Sequence, residues 1–146
     1  MEAITNKRAH FDYVIDDTFE AGIELLGFEV KSVRNGKANI AGSYVKMYNN
    51  EAWLVNATIA PYQEKNVAVN YDPQRPRKLL LHKEEIKNLI GKQQEKGLTL
   101  VPIKLYNKQG KIKLSFGLGR SKKKGDKREM VKRRDIERET GRHLKS

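Results

Sequence analysis

Apolar residues recur at every second position in three regions of this chain, and period 2 marks a strand with one buried face. In the first region Tyr13 and Ile15 are followed by Phe19, Ala21, Ile23 and Leu25, with Glu20, Gly22 and Glu24 between them. This predicts a pair of strands around the acidic turn Asp16-Asp17. In the second, Ser43 to Tyr48 and Ala52 to Ile59 flank Asn49-Asn50-Glu51, the pattern of a hairpin. Val45 and Met47 fall on one side, and Trp53, Val55, Ala57 and Ile59 on one side of the return strand. In the third, Thr99 to Tyr106 and Lys111 to Leu118 form a hairpin around Asn107-Lys108-Gln109-Gly110. Val101, Ile103, Leu105, Ile112, Leu114 and Phe116 make its apolar face, and Lys104, Tyr106, Lys111 and Lys113 its polar one.

Two segments follow helical spacing instead. Phe28 to Arg34 reads as a short helix closed by Asn35-Gly36, with Val30 and Val33 on one side, Lys31 and Arg34 on another, and Lys37 just beyond. Lys83 to Lys96 presents Ile86, Leu89 and Ile90, with His82 at the N-cap position and Gly97 at the end. About six short strands with one short and one longer helix predict a mainly β fold. The form expected is a small closed antiparallel barrel of the oligonucleotide-binding type, since closure removes exposed edges.

Between Pro61 and Arg77 lies a polar loop of roughly 17 residues, longer than compact domains leave without a purpose. Its end, Asp72-Pro-Gln-Arg-Pro-Arg-Lys-Leu-Leu-Leu-His82, pairs two chain-stiffening prolines with Arg75, Arg77 and Lys78, followed by the apolar plug Leu79 to Leu81. A rigid basic lip of this kind suits phosphate, and equally describes a solvated loop before a helix.

Charge narrows the partner. The 146 residues, enough for one domain with a real core, hold 30 Lys+Arg against 18 Asp+Glu, a net +12. That excess favours nucleic acid over anionic membrane. From Arg120 to Ser146 there are twelve basic and five acidic residues and no aromatic one. Too few apolar groups are present there to offset the entropy of ordering the segment. The expected organisation is a flexible N-terminus (1–9, with Lys7 and Arg8 as phosphate contacts), a barrel (10–119) and a basic tail (120–146) containing Lys122, Lys123, Lys124, Lys132 and Arg133. Glu129 with Arg133 and Asp135 with Arg138 have helical spacing. The tail is therefore expected to be disordered when free and helical when bound.

Chemistry is sparsely represented. Zero cysteines exclude disulfides and thiolate catalysis, and His10, His82 and His143 lack metal-ligand spacing. Asp16-Asp17 fits a turn, Glu84-Glu85 a helix first turn, and Gly117-Leu118-Gly119-Arg120 lacks the lysine and hydroxyl of a P-loop. No signal-peptide core and no span of about 20 apolar residues is visible. The expectation is a cytoplasmic binding protein without metal, cofactor or catalysis. Tyr44, Trp53, Tyr62 and Tyr106 fit core or rim positions as readily as base-stacking ones.

Several motifs occur together in register: Phe19-Glu20-Ala21-Gly22-Ile23, Glu29-Val30-Lys31-Ser32, Ser43-Tyr44-Val45, Asp72 to His82, Thr99-Leu100-Val101-Pro102 with Leu105-Tyr106, and Asp126-Lys127-Arg128. In this order they resemble the small protein B family, bacterial partners of transfer-messenger RNA (tmRNA). The resemblance implies a protein, monomeric in the RNA complex, that binds the tRNA-like part of tmRNA and brings it to the empty A site of a stalled ribosome. Trans-translation then tags the nascent chain for degradation. It implies RNA-binding roles for Glu20, Leu80 and His82, with Lys31, Arg34, Lys37, Arg75, Arg77 and Lys78 as expected phosphate contacts. Glu20 would hold an arginine or accept from a base amine or 2′-hydroxyl, and Leu80 would act by positioning. For Asp126, Lys127 and Arg128 it implies a role in the decoding centre and mRNA channel, against ribosomal RNA. The sequence departs from the family pattern at Phe28, where Thr or Trp is usual, and at Gly125, where His or Tyr is expected. A structural RNA-binding protein and an RNA-processing enzyme are the rival classes, separable by tail deletion and by a turnover assay.

Overall fold

A computed structural model describes residues 1–62, 70–95 and 97–122. Its strands are β1 (Ile4–Thr5), β2 (Tyr13–Ile23), β3 (Ala38–Asn39), β4 (Tyr44–Tyr48), β5 (Glu51–Val55), β6 (Thr58–Ile59), β7 (Arg77–Leu80), β8 (Leu98–Lys108) and β9 (Lys111–Ser121). The helices are α1 (Ala9–Asp12), α2 (Gly27–Arg34) and α3 (Lys83–Gln93). Strands β8-β4-β5-β7-β2-β9 are neighbours in that order, and β9 pairs again with β8, so six antiparallel strands close a barrel. β1 adds to β8 outside the ring, and β3 pairs with β6 separately.

Turn chemistry sets the two hairpins. Asn49 and Asn50 have φ of 51° and 59°, and Gln109 and Gly110 of 52° and 81°. Two successive left-handed residues match the right-handed twist of the strands they join. Leu54, Leu79, Leu100, Leu105, Leu114 and Phe116 fill the barrel, Phe19 stacks on Phe116 at 5.5 Å, and Val33 and Leu89 bring α2 and α3 onto this core. Each such side chain contributes roughly 1.5–3 kcal/mol on leaving water.

Irregularities decide which residues face inward, and they correct the predicted pattern. Asp16-Asp17 is not a turn between strands: β2 runs through it as one strand, and its register against β9 slips between Ile15 and Thr18. The bulge sits over Gly117, where a Cβ would collide with the Ile15 side chain. A second bulge, between Pro102 and Lys104, inserts one residue into β8. Leu100 and Leu105 therefore both point inward, while Val101 and Ile103 lie on the outer side, against Gly119 and Gly117. At Asn56 (φ 66°) the alternation resets, so Ala52, Leu54, Ala57 and Ile59 are buried and Trp53 and Val55 turn outward. The N-terminus, expected to be free, is pinned. Ile4 and Thr5 pair with Leu105 and Lys104, and buried Asn6 donates its amide to the Pro102 carbonyl at 2.9 Å.

Candidate nucleic-acid interface

The predicted basic lip turns its central arginine inward. Residues 77–80 form a strand, and strand parity alternates its side chains: Arg77 and Leu79 point in, Lys78 and Leu80 out. Arg77 is 0% exposed. Its guanidinium donates to Glu29 Oε2 at 2.6 and 3.0 Å, to the Ala57 carbonyl at 2.8 Å and to the Pro73 carbonyl at 3.0 Å. Arg75 grips the same carboxylate through both Nε and Nη2, and the Leu26 N–H donates to it at 2.8 Å from the start of α2. The Tyr71 hydroxyl lies 2.9 Å from Glu29 and 2.9 Å from the Ile59 carbonyl. Burial pushes the Glu29 carboxyl up, but Arg75, the Leu26 N–H and Arg77 together hold it below its ordinary value. Burial and the Glu29 charge push Tyr71 up to about 12. This cluster welds α2 to β7, and neither guanidinium is a free phosphate contact. Lys78, on the outer parity, pairs with Glu51 at 3.5 Å.

Leu80 has the opposite fate from the expected plug. It is 51% exposed and sits beside Gly22 in the β2–β7 pair. A Cβ at Gly22 would press on the Leu80 Cβ at 3.3 Å, so the missing side chain leaves Leu80 its place. Glu20, Leu80 and His82 line one open cleft of about 580 Å³, with Lys78, Lys83 and Lys113 among its walls. Gly22, Leu80 and Lys113 also line a second cleft of about 340 Å³, which extends to Arg34 and Lys111. Leu80 thus crowns a ridge between the two clefts; Glu20, Glu51 and Glu85 balance the three lysines of the first, and the second is cationic, with Arg34, Lys111 and Lys113 and no acid. Arg34 also donates to the Gly110 carbonyl at 2.9 Å, tying α2 to the β8–β9 turn.

Among the described residues Glu20 holds a tyrosine and a lysine and no arginine. Its carboxylate accepts from the Tyr106 hydroxyl and from Lys108 Nζ at 3.0 Å, and Lys104 stands 5.2 Å from the Tyr106 ring. The Tyr106 bond, then Lys108, lower the Glu20 carboxyl, while burial and Glu20 raise Tyr106 to about 12. His82 caps α3 through its backbone N–H, which donates to Glu85 at 3.1 Å, and its ring is exposed. Lys31 faces the Tyr62 ring at 5.9 Å, Lys37 is exposed after α2, and Arg8 pairs with Asp12 at 3.2 Å, so these line neither cleft. Lys122 donates to the His10 carbonyl at 2.7 Å. Lys123, Lys124, Asp126, Lys127, Arg128, Lys132 and Arg133, with the predicted tail helix, lie outside the described residues.

The family described as SmpB protein matches residues 3–146. The chain belongs to the SmpB family. Among SmpB relatives, the SsrA-binding protein of Thermosynechococcus vestitus is 51% identical over 140 residues, covering 96% of this chain and 92% of its own. That of Bradyrhizobium diazoefficiens is 52% identical over 142 residues, covering 97% and 90%. A solved chain described as "tmRNA-SmpB: a journey to the center of the bacterial ribosome" is 47% identical with a TM-score of 0.69, covering 88% of this chain and 94% of its own. Sequence reasoning missed the Glu29 cluster and the hold of Tyr106 on Glu20. The places of Glu29 and Tyr106 on helix and strand were visible, but their partners lie far away in the chain. No helix among the described residues is long and apolar enough to cross a membrane.

Proposed function

We propose that this chain is the RNA-binding protein of trans-translation, which binds the tRNA-like part of tmRNA and delivers it to the A site of stalled ribosomes. Truncated messages are then released and nascent chains tagged for degradation. The observation that carries this reading is likeness to SmpB along residues 3–146, including a solved tmRNA–SmpB chain. The Leu80 ridge is the docking surface. Its exposed side chain packs on a sugar or base edge, Lys83, Lys111, Lys113 and Arg34 neutralise phosphates, and the fixed Glu20 carboxylate accepts from a 2′-hydroxyl or base amine. The protein acts by binding in the cytoplasm, as a monomer on the RNA, and not as an enzyme. Its basic tail, placed by sequence at 120–146 although β9 runs on to Ser121, orders as a helix over 126–140 in the mRNA channel, with Asp126, Lys127 and Arg128 at the decoding centre.

The test is a binding titration with the isolated tRNA-like domain, in parallel with a tagging assay. Deleting residues 123–146 should leave that affinity nearly intact and abolish tagging. A chain that binds this RNA no more tightly than an unrelated hairpin refutes the reading. Affinity should fall steeply with salt, and Lys113→Ala should flatten the slope by somewhat under one unit.

A further inference from the structure

The outer face of β4 and β5 carries aromatic side chains that neither the barrel core nor the Leu80 ridge uses. Parity sends Val45, Ala52 and Leu54 inward, so Tyr44, Lys46 and Tyr48 on β4 and Trp53 and Val55 on β5 look outward. Tyr44 is 38% and Tyr48 60% exposed, although large apolar rings on a lone outer sheet face lose solvation free energy there. With Trp53, Val55, Lys46 and Pro76 they line an open concavity of about 380 Å³. Trp53 stands opposite Lys46 on one side and Lys78 on the other. Lys78 also lines the cleft below Leu80 and His82, so the aromatic face continues the candidate interface around the barrel. Glu51, the acid at this edge, is paired with Lys78.

We propose that this face is a second RNA contact, a stacking platform for unpaired nucleotides. Tyr44, Trp53 and Tyr48 receive base faces, and Lys46 meets the phosphate between them. Every base has a π-face, so such a platform accepts unpaired RNA without demanding a sequence. Tyr44 and Tyr48 are four strand residues apart, about 13 Å, which seats separate bases and not one. The net charge of +12 and the lysines at both margins select a polyanion over an apolar protein surface. The proposal rests on reading the chain as an RNA-binding protein, and adds to it a site for single strands.

Trp53 is the chain's only tryptophan, so its emission reports on the platform directly. Titrating the full chain with hexauridylate should quench that emission saturably. Tyr44→Ala and Tyr48→Ala should each weaken binding about tenfold, while Tyr48→Phe, which keeps the ring, should stay within about twofold. Three results overturn the proposal: a hexamer that binds without changing Trp53 emission, an unchanged affinity in the Tyr44→Ala/Tyr48→Ala double variant, or an emission response to ribosomal proteins and none to RNA. The tRNA-like domain is titrated alongside. If it binds while the hexamer does not, the platform alone fails; if the hexamer quenches while the tRNA-like domain is not preferred, the trans-translation reading alone fails.

Discussion

Glu29 and Arg77 meet with neither side chain exposed, across 48 residues of sequence, at 2.6 Å. A buried ion pair contributes little over an apolar pair of the same shape, but removing one partner strands a charge in the interior. Arg77→Met and Glu29→Gln should each cost about 3–5 kcal/mol in denaturant unfolding, and the double variant should cost less than the sum. Neither change should alter the salt slope of RNA binding beyond what loss of fold explains. A flatter slope in a still-folded Arg77→Met protein would mean that Arg77 reaches phosphate after all.

The same carboxylate sets a pH dependence. The folded protein holds Glu29 below its ordinary value of 4.5, so the unfolded chain binds a proton more readily and stability rises with pH. The contribution is fully present above the unfolded value and fades as pH falls through the folded one. Tyr71, pushed up to about 12, acts at the other end: its contribution is whole below about 10 and is lost as pH rises through about 12. Urea unfolding followed across acid pH should show a drop that Glu29→Gln removes. Tyr71→Phe should likewise remove part of the alkaline loss.

Leu79 and Leu80 are neighbours with opposite jobs. Leu79 is fully buried, and Leu79→Ala should destabilise by about 2–5 kcal/mol. Leu80→Ala should change stability by less than about 1 kcal/mol yet weaken binding to the tRNA-like domain by about tenfold, the worth of covering its exposed half. Thermal melts beside binding isotherms decide it; a destabilised Leu80→Ala with unchanged affinity would place this residue in the core and not on the interface.

Tyr106 reaches across β9 to hold Glu20, so it acts as a positioning residue for that carboxylate. Removing one hydroxyl should lower affinity for the tRNA-like domain about three- to tenfold in Tyr106→Phe, with the melting temperature and the salt slope unmoved. In a Glu20→Gln background the same change should do nothing further, because the group it orients is already altered. Additive losses in that cycle would separate the two residues' roles.

Local chemistry made much of the fold legible in advance. The Asn49-Asn50 and Gln109-Gly110 turns dictate their hairpins, helical spacing marks α2 and α3, and His82 caps α3 as its position predicts. These elements draw on neighbours a few residues away, which a linear pattern records. The charge excess and the motif order likewise carried the RNA-binding class and the family. Alternation marked the inward side of β4, of β9 and of the end of β2, and tertiary structure alone decided it where a strand is irregular. One extra residue at Asp16-Asp17, another before Lys104 and a left-handed Asn56 each invert the alternation beyond them, and nothing local announces the inversion. It also decided the fate of the basic stretch. An arginine is buried only where a distant carboxylate meets it, so Arg77 went inside to Glu29, and the same parity left Leu80 in solvent, where RNA can reach it.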